Sequence, residues 1–430
     1  MVSTTDHGQP DVALMQPPVE RRRTRLVGLD GIRGLAALFV VFHHCWLSAF
    51  PGYPSNTGPL WAGFLIYGHF AVVVFIVLSG FSLAVSPARA GWRINSKRRF
   101  FFRRAWRILP TYWPALLMSL VIAWTITPQP GESSPTVKSV LVNGLLVQDI
   151  FGAPTPNGAF WSIPVEVQLY FAFPLLVFLL WRFGSVVMLG AVTTVVVLVG
   201  ALAPHVSLVD KLMRLTPQFA ALFALGVAAA GVVRVVDRGR HHRRPDADPT
   251  RLLAWFALAA VIPVVALIVV QGSVWTTSHF FWVDLALGPA IALFIASVAS
   301  GRPAPAVRFL DTRPVRSLGS FSYTLYLTHA PIVVVVYSQI VRPWLGHGVG
   351  AFLMMLVIAV PLSVLVARLF AAVFELPFTR HKSWPALRAA MSVRATAMRE
   401  RVRAPAARPP VPVPVTVAEQ APAPAPATEG

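Results

Sequence analysis

The chain carries little charge. Of its 430 residues only 13% are Asp, Glu, Lys or Arg, while 56% are hydrophobic; soluble domains run at about 25% charged. A water-soluble fold of this size could not hide so much apolar side chain, so lipid must be the solvent for most of it. Cysteine is nearly missing: Cys45 stands alone, which excludes an intramolecular disulfide and any cysteine-cluster metal site. Acidic residues are scarce, 17 against 37 Lys and Arg, for a net charge of +20. That excess suits nucleic acid, anionic lipid or an anionic cofactor, and position decides among them. No P-loop or Rossmann glycine pattern occurs, so a nucleotide-like ligand would be held by side chains. The first thirty residues contain no apolar run. The basic cluster Arg21–Arg25 followed by Gly34–Phe42 imitates a signal peptide, but no small-residue cleavage site follows His43-His44.

What is present in quantity is the long apolar run. About twenty such residues cross a bilayer, and ten stretches qualify: roughly 33–50, 63–86, 106–127, 161–181, 184–203, 214–234, 251–271, 280–300, 318–341 and 349–376. A shorter one, 137–151, contains Lys138, Gln148 and Asp149 and reads as an interfacial or re-entrant helix. Ten alternating spans put both termini and every second loop on one side, which holds 32 of the 37 Lys and Arg. By the positive-inside rule that side is cytoplasmic. Topology thus accounts for the basic excess, and no nucleic acid is needed. The expected fold is all-α, a polytopic cell-membrane protein of about ten transmembrane helices with both termini cytoplasmic. Residues 1–30 form a disordered N-terminal segment, 31–380 the membrane domain, and 381–430 a basic, then Ala/Pro-rich disordered tail. The histidines of the loop Arg238–Asp248 belong to a solvated charge run rather than a metal site, and no metal is expected.

Ionisable groups inside a span are costly, so each is a functional candidate. Arg33 and His44 are eleven residues apart, three helical turns plus about 20°, and share one face about 16 Å apart. That face bears a cation at the cytoplasmic end and an imidazole deep in the membrane; an anchoring arginine with a structural histidine is the alternative. Glu166, near the outer start of the fourth span, falls at a similar depth to His44 when each is counted from its own helix end. The two could form the base and orienting carboxylate of acid–base catalysis, or a structural buried pair. At the inner mouth, Arg104 and Arg107 are neighbours on one helical face and suit bidentate phosphate recognition together with Arg33. Ser79, in FIVLSGF, and His329, near mid-membrane in the ninth span, are candidates for substrate binding or a structural polar core. Asp284 reads as a helix cap, and Glu375 as a partner of Arg368 or of the inner-mouth arginines.

Five separated motifs stand in order: LDGIRGLAALFVVFHH, FIVLSGF, RRAWRILP, FWSIPVEVQLYFAFP and FSYTLYLTHAP. Together they resemble the acyltransferase-3 family of integral-membrane O-acyltransferases, from about Arg25 to Pro377. The resemblance implies ten membrane helices and transfer of an acyl group, often acetyl, from acyl-CoA (acetyl-CoA) to a hydroxyl of a glycan, lipid-linked sugar or secondary metabolite. It places the family's essential arginine and histidine on Arg33 and His44, its third-span arginines on Arg104 and Arg107, and its fourth-span acid on Glu166. Val73 stands where members often carry an aspartate. In the mechanism this suggests, the three arginines hold the donor's phosphates, and His44, oriented by Glu166, removes the acceptor's proton or briefly takes the acyl group. The rival is a proton-coupled secondary transporter or flippase with His44, Glu166 and His329 as a relay; no inverted repeat or matching pair of broken helices supports it.

Overall fold

A computed structural model describes residues 26–242 and 249–403. The first 25 residues, residues 243–248 of the 238–248 loop and the Ala/Pro-rich tail from 404 lie outside the described residues. All regular elements among the described residues are helical. They run α1 Leu29–Ala49, α2 His69–Arg89, α3 Lys97–Thr125, α4 Val137–Gly144, α5 Gln148–Phe151, α6 Ser162–Leu202, α7 Ser207–Leu212, α8 Gln218–Ala229 and α9 Val232–His242. Then follow α10 Leu253–Ser278, α11 Phe280–Ala299, α12 Ala304–Leu310, α13 Arg313–Ser320, α14 Ser322–Val335, α15 Arg342–Leu345, α16 Val349–Phe374, α17 Leu376–Arg380 and α18 Trp384–Arg403.

Nine helical segments among the described residues are long and apolar enough to cross a bilayer. One of them, α6, has 41 residues. Straight, it would run about 60 Å, twice the ~30 Å hydrocarbon thickness. Gly184 interrupts it with φ 87 and ψ 171, a backbone conformation open to a residue without Cβ. The two pieces, 162–183 and 185–202, each match one crossing, and the segment count returns to ten. This is a multi-pass membrane protein. Residues 137–151, which read as interfacial or re-entrant, form the short helices α4 and α5. Tyr112 Oη ties α4 to α3 by donating to Asn143 O at 2.8 Å.

The basic part of the C-terminal segment, Trp384–Arg403, is a helix, as its Ala, Arg and Met favour; the Ala/Pro-rich stretch expected to be disordered begins after Arg403. The helix belongs to a second compact unit, separate from the one that ends at Thr379.

Glycines decide where the central helices meet. A Cβ on Gly31 would lie 2.2 Å from Leu310 O, one on Gly34 2.6 Å from Gly319 N, and one on Gly319 1.9 Å from Asp30 O. The DGIRG run therefore seats α1 against α12 and α13 at backbone contact, and so fixes where Arg33 stands. Likewise α2 and α8 touch through Gly80 and Gly226, whose Cβ positions fall 2.2 Å from Phe223 O and 2.0 Å from Val77 O. Close approach through small residues is how helices associate where lipid supplies no hydrophobic drive. By contrast α10 and the second half of α6 present exposed Val186, Val195, Trp255, Ile262, Val269 and Val270, the faces that lipid covers.

Candidate active site

Three arginines converge at one end of the bundle. Arg33 from α1 and Arg104 and Arg107 from α3 line a cavity of about 100 Å³ with Ser79 and Ser82 of α2, Glu166 and Tyr170 of α6, and Tyr323 and Tyr326 of α14. Arg33 reaches Asp30 Oδ1 at 3.3 Å and Ser82 Oγ at 3.4 Å, both long contacts. Arg107 stays exposed. Arg104 Nε and Tyr323 Oη are buried in the cavity wall without a hydrogen-bond partner. Orphaned donors of this kind are costly, and they fit an oxygen-rich ligand entering there. The volume is well below the ~300–1,000 Å³ of a pocket for a whole small molecule; it admits a short length of an extended chain.

Glu166 belongs to this cavity. Its Oε1 accepts from Ser79 Oγ at 3.0 Å and from Tyr170 Oη one turn away at 2.5 Å. The hydrogen bond expected between Glu166 and His44 is not formed. Counting depth from the start of α6 assumed that this start lies at the membrane surface, yet the preceding loop is drawn inward. Asn157 is fully buried and donates to Leu327 O at 2.8 Å and to Ser119 Oγ at 3.1 Å. Glu166 therefore sits beside Ser79, ten residues into α2. Ser79, read as a substrate-binding or polar-core candidate, spends its hydroxyl on Glu166.

His44 is paired instead with His329. Its Nδ1 faces Val40 O at 2.9 Å and His329 Nε2 at 3.3 Å, with ring centroids 4.8 Å apart. His329, fully buried, has its own Nδ1 on Leu325 O at 3.0 Å. A carbonyl oxygen only accepts, so in the neutral rings both Nδ1 atoms carry the proton. His44 Nε2 is then a lone pair without a protein partner, on a half-buried ring. Val40 and His329 together supply the tautomer control that a carboxylate would otherwise give. Tyr326 connects the two halves: it lines the arginine cavity, bonds Ser162 Oγ at 2.7 Å, and its ring lies 5.9 Å from that of His329. His44 is not among the cavity's lining residues; Phe75, edge-on to Tyr326 at 5.7 Å, lines it beside Tyr326.

One lesser reading changes and another narrows. Asp284 does not merely cap a helix: fully buried, it is bonded by His69 Nε2 at 2.9 and 3.0 Å and by Gln218 Nε2 at 3.3 Å. Glu375 accepts from Thr324 Oγ1 at 2.6 Å and from Thr324 N at 3.3 Å and is attracted to the inner-mouth Arg107 and Arg33, while Arg368 is exposed on α16. The sequence reading also passed over Tyr170, Tyr323 and Tyr326. Their signal was helical spacing, since Tyr170 follows Glu166 by four, and Tyr323, Tyr326 and His329 recur at three. Among the described residues no group of three or more His, Cys, Asp or Glu could hold a metal ion.

Comparison with known proteins identifies the family. The model of the acyltransferase-3 family, described as an acyltransferase domain, matches residues 26–368. Nodulation protein 10 of Rhizobium leguminosarum bv. viciae is 25% identical over 357 residues, 77% of this chain and 89% of that protein. Peptidoglycan O-acetyltransferase OatA of Listeria monocytogenes is 24% identical over 335 residues, 72% of this chain and 50% of OatA. O-acetyltransferase OatA of Staphylococcus aureus (strain NCTC 8325 / PS 47) is 24% identical over 364 residues, 74% of this chain and 52% of its own length. The chain thus spans about half the length of the OatA proteins. No solved structure matches it. With the family model covering all of the membrane helices from α1 into α16, the chain belongs to the acyltransferase-3 family and is a membrane acyltransferase.

Proposed function

We propose that the protein is an O-acetyltransferase that moves the acetyl group of acetyl-CoA to a hydroxyl of a glycan, glycolipid or secondary metabolite. Arg104 and Arg107, with Arg33, bind donor phosphates at the cytoplasmic mouth. A phosphate there satisfies the orphaned Arg104 Nε and relieves the mutual repulsion of the cations. Glu166 offsets part of that charge and holds Ser79 and Tyr170 in place. The pantetheine arm extends along the line Glu166, Tyr326, His329 toward His44, and the Phe75–Tyr326 pair must part to let the thioester through.

His44 Nε2 takes the acceptor's hydroxyl proton as the oxygen attacks the thioester carbonyl. The tetrahedral oxyanion collapses, the C–S bond breaks, and the departing thiolate takes the proton back from Nε2. Protons balance without an external source. During the step His44 is an imidazolium, and its Nδ1–H bonds to Val40 O and His329 Nε2 strengthen as charge develops. The observation that carries this reading is the unpaired Nε2 of His44, made the basic nitrogen by a carbonyl on its other side and aligned through Tyr326 with three arginines.

The test uses purified protein in lipid nanodiscs, acetyl-CoA, and a thiol-reactive dye that reads released coenzyme A. Wild type should release thiol, His44→Ala should lose at least a hundredfold of that rate, and Arg104→Ala should bind coenzyme A at least tenfold more weakly. Full thiol release by His44→Ala would sink the assignment of the base. Movement of a solute across liposomes without acetyl-CoA consumption would replace the enzyme reading by the transporter one.

A further inference from the structure

At the opposite end of the bundle from the arginines lies a second polar cluster for which the donor chemistry has no use. Asp284 of α11 is 0% exposed and is held by His69 Nε2 from the first residue of α2 and by Gln218 Nε2 from the first residue of α8. The His69 ring is sandwiched between Phe280, at 4.0 Å and 14°, and Trp161, at 5.8 Å and 6°. Trp161 is the open edge of the cluster, 36% exposed. The α2–α8 glycine contact sets the spacing of the two helix ends.

The carboxylate dictates what its neighbours have left to offer. Gln218 must turn its NH₂ toward Asp284, because the amide oxygen would meet like charge, so Oε1 points away. That atom is buried in a residue only 6% exposed and has no partner. It can only accept. His69 spends Nε2 on Asp284 and leaves Nδ1 without a protein partner; Nδ1 accepts when the ring is neutral and donates when the ring is protonated. A hydroxyl both donates and accepts, so it satisfies Nδ1 in either state, and an O–H also satisfies Oε1. An anion is disfavoured on both counts: it cannot donate to Oε1, and Asp284 repels it. A flat indole beside such groups suits the C–H face of a pyranose ring. The position is also right for an acceptor: His43 packs on Gly68, where a Cβ would lie 2.2 Å from the imidazole Cγ, and the His43 and His44 rings are 5.1 Å apart.

We infer that His69, Gln218 and Trp161, organised by Asp284, bind a neutral polyhydroxylated ligand of the pyranoside class on the extracytoplasmic side, presenting it to His44. This rests on the acyl-transfer reading for its role as acceptor site, but not for the binding itself. Phosphate-bearing donor and hydroxyl-bearing acceptor then occupy opposite ends of the bundle and meet at the imidazole pair.

The experiment is saturation-transfer NMR on the full chain in nanodiscs, since maltoside detergents are themselves pyranosides. The probes are methyl glucoside, galactoside, mannoside and N-acetylglucosaminide, with 2-methyltetrahydropyran as a ring without hydroxyls. At least one pyranoside should bind saturably, tenfold or more tighter than the hydroxyl-free ring. Gln218→Met, which keeps the side chain's length but removes both the Oε1 acceptor and the amide donor to Asp284, should weaken it at least fivefold; Trp161→Ala, which leaves the hydrogen bonds to Asp284 in place, should weaken it as much at unchanged melting temperature and so tests the site even if Gln218→Met is less stable. Arg104→Ala should leave pyranoside affinity within twofold. Pyranoside binding that no better than matches the hydroxyl-free ring, or that survives Gln218→Met and Trp161→Ala, overturns the site even if acetyl transfer is observed. Gln218-dependent binding by a protein that never consumes acetyl-CoA leaves the site standing and removes its acceptor role.

Discussion

Replacing His329 by Phe isolates what its nitrogen contributes to the reaction. Phenylalanine keeps an aromatic ring of similar size against Tyr326 and removes the acceptor that faces His44 Nδ1 at 3.3 Å, together with the Nδ1–H that His329 donates to Leu325 O of its own helix. The ground state loses little, because Nδ1 keeps its 2.9 Å contact with Val40 O. In the transition state His44 is charged, and a hydrogen bond to a charged group is worth about 1.5–3 kcal/mol. The 3.3 Å separation argues for the lower end, about 1.5 kcal/mol, or roughly a tenfold loss of kcat. KM for acetyl-CoA should hold, since His329 does not line the arginine cavity. His44→Ala removes the base entirely and should cost ~10²–10⁴-fold. In that background His329→Phe should have no further effect, a coupling readable from a double-mutant cycle of thiol-release rates. Equal losses from the two substitutions, or a tenfold His329 effect that persists without His44, would refute the pairing.

Other consequences are as direct. Glu166→Gln should alter KM for acetyl-CoA more than kcat, because Glu166 belongs to the arginine cavity and not to His44; a kcat-only loss in steady-state kinetics would restore it as the orienting acid. Arg107→Ala should weaken donor binding by about 10–100-fold, the size of one charge-assisted contact, with a smaller deficit for dephosphorylated analogues in competition binding. Gly319→Ala puts a Cβ 1.9 Å from Asp30 O, where no flexible side chain can yield. The helices must separate, at about 1–3 kcal/mol, and the melting temperature should fall together with donor affinity because Arg33 moves. Phe75→Trp should thicken the wall beside Tyr326 and lower kcat while leaving coenzyme A binding intact, measured by calorimetry.

Several features were fully legible in the one-dimensional pattern. Apolar run length and the one-sided distribution of Lys and Arg depend only on composition along the chain, so lipid as solvent, the ten crossings and the arginine-bearing end followed from them. The shared face of Arg33 and His44 follows from helical periodicity within one element. Pairings across the fold were not legible. His44 with His329 joins residues 285 apart, His69 with Asp284 215 apart, and Ser79 with Glu166 87 apart.

Depth within the bilayer is the clearest case. Counting 1.5 Å per residue from each helix end set Glu166 level with His44, but the rule holds only if every helix begins at the surface. Buried Asn157, bonded to Leu327 O, pulls the start of α6 inward and hands Glu166 to the arginines. Local sequence determines which side chains a helix carries and on which face; the height and rotation at which helices pack, and hence which of those side chains meet, is a property of the assembled bundle, fixed here by backbone contacts at glycines and by one buried amide.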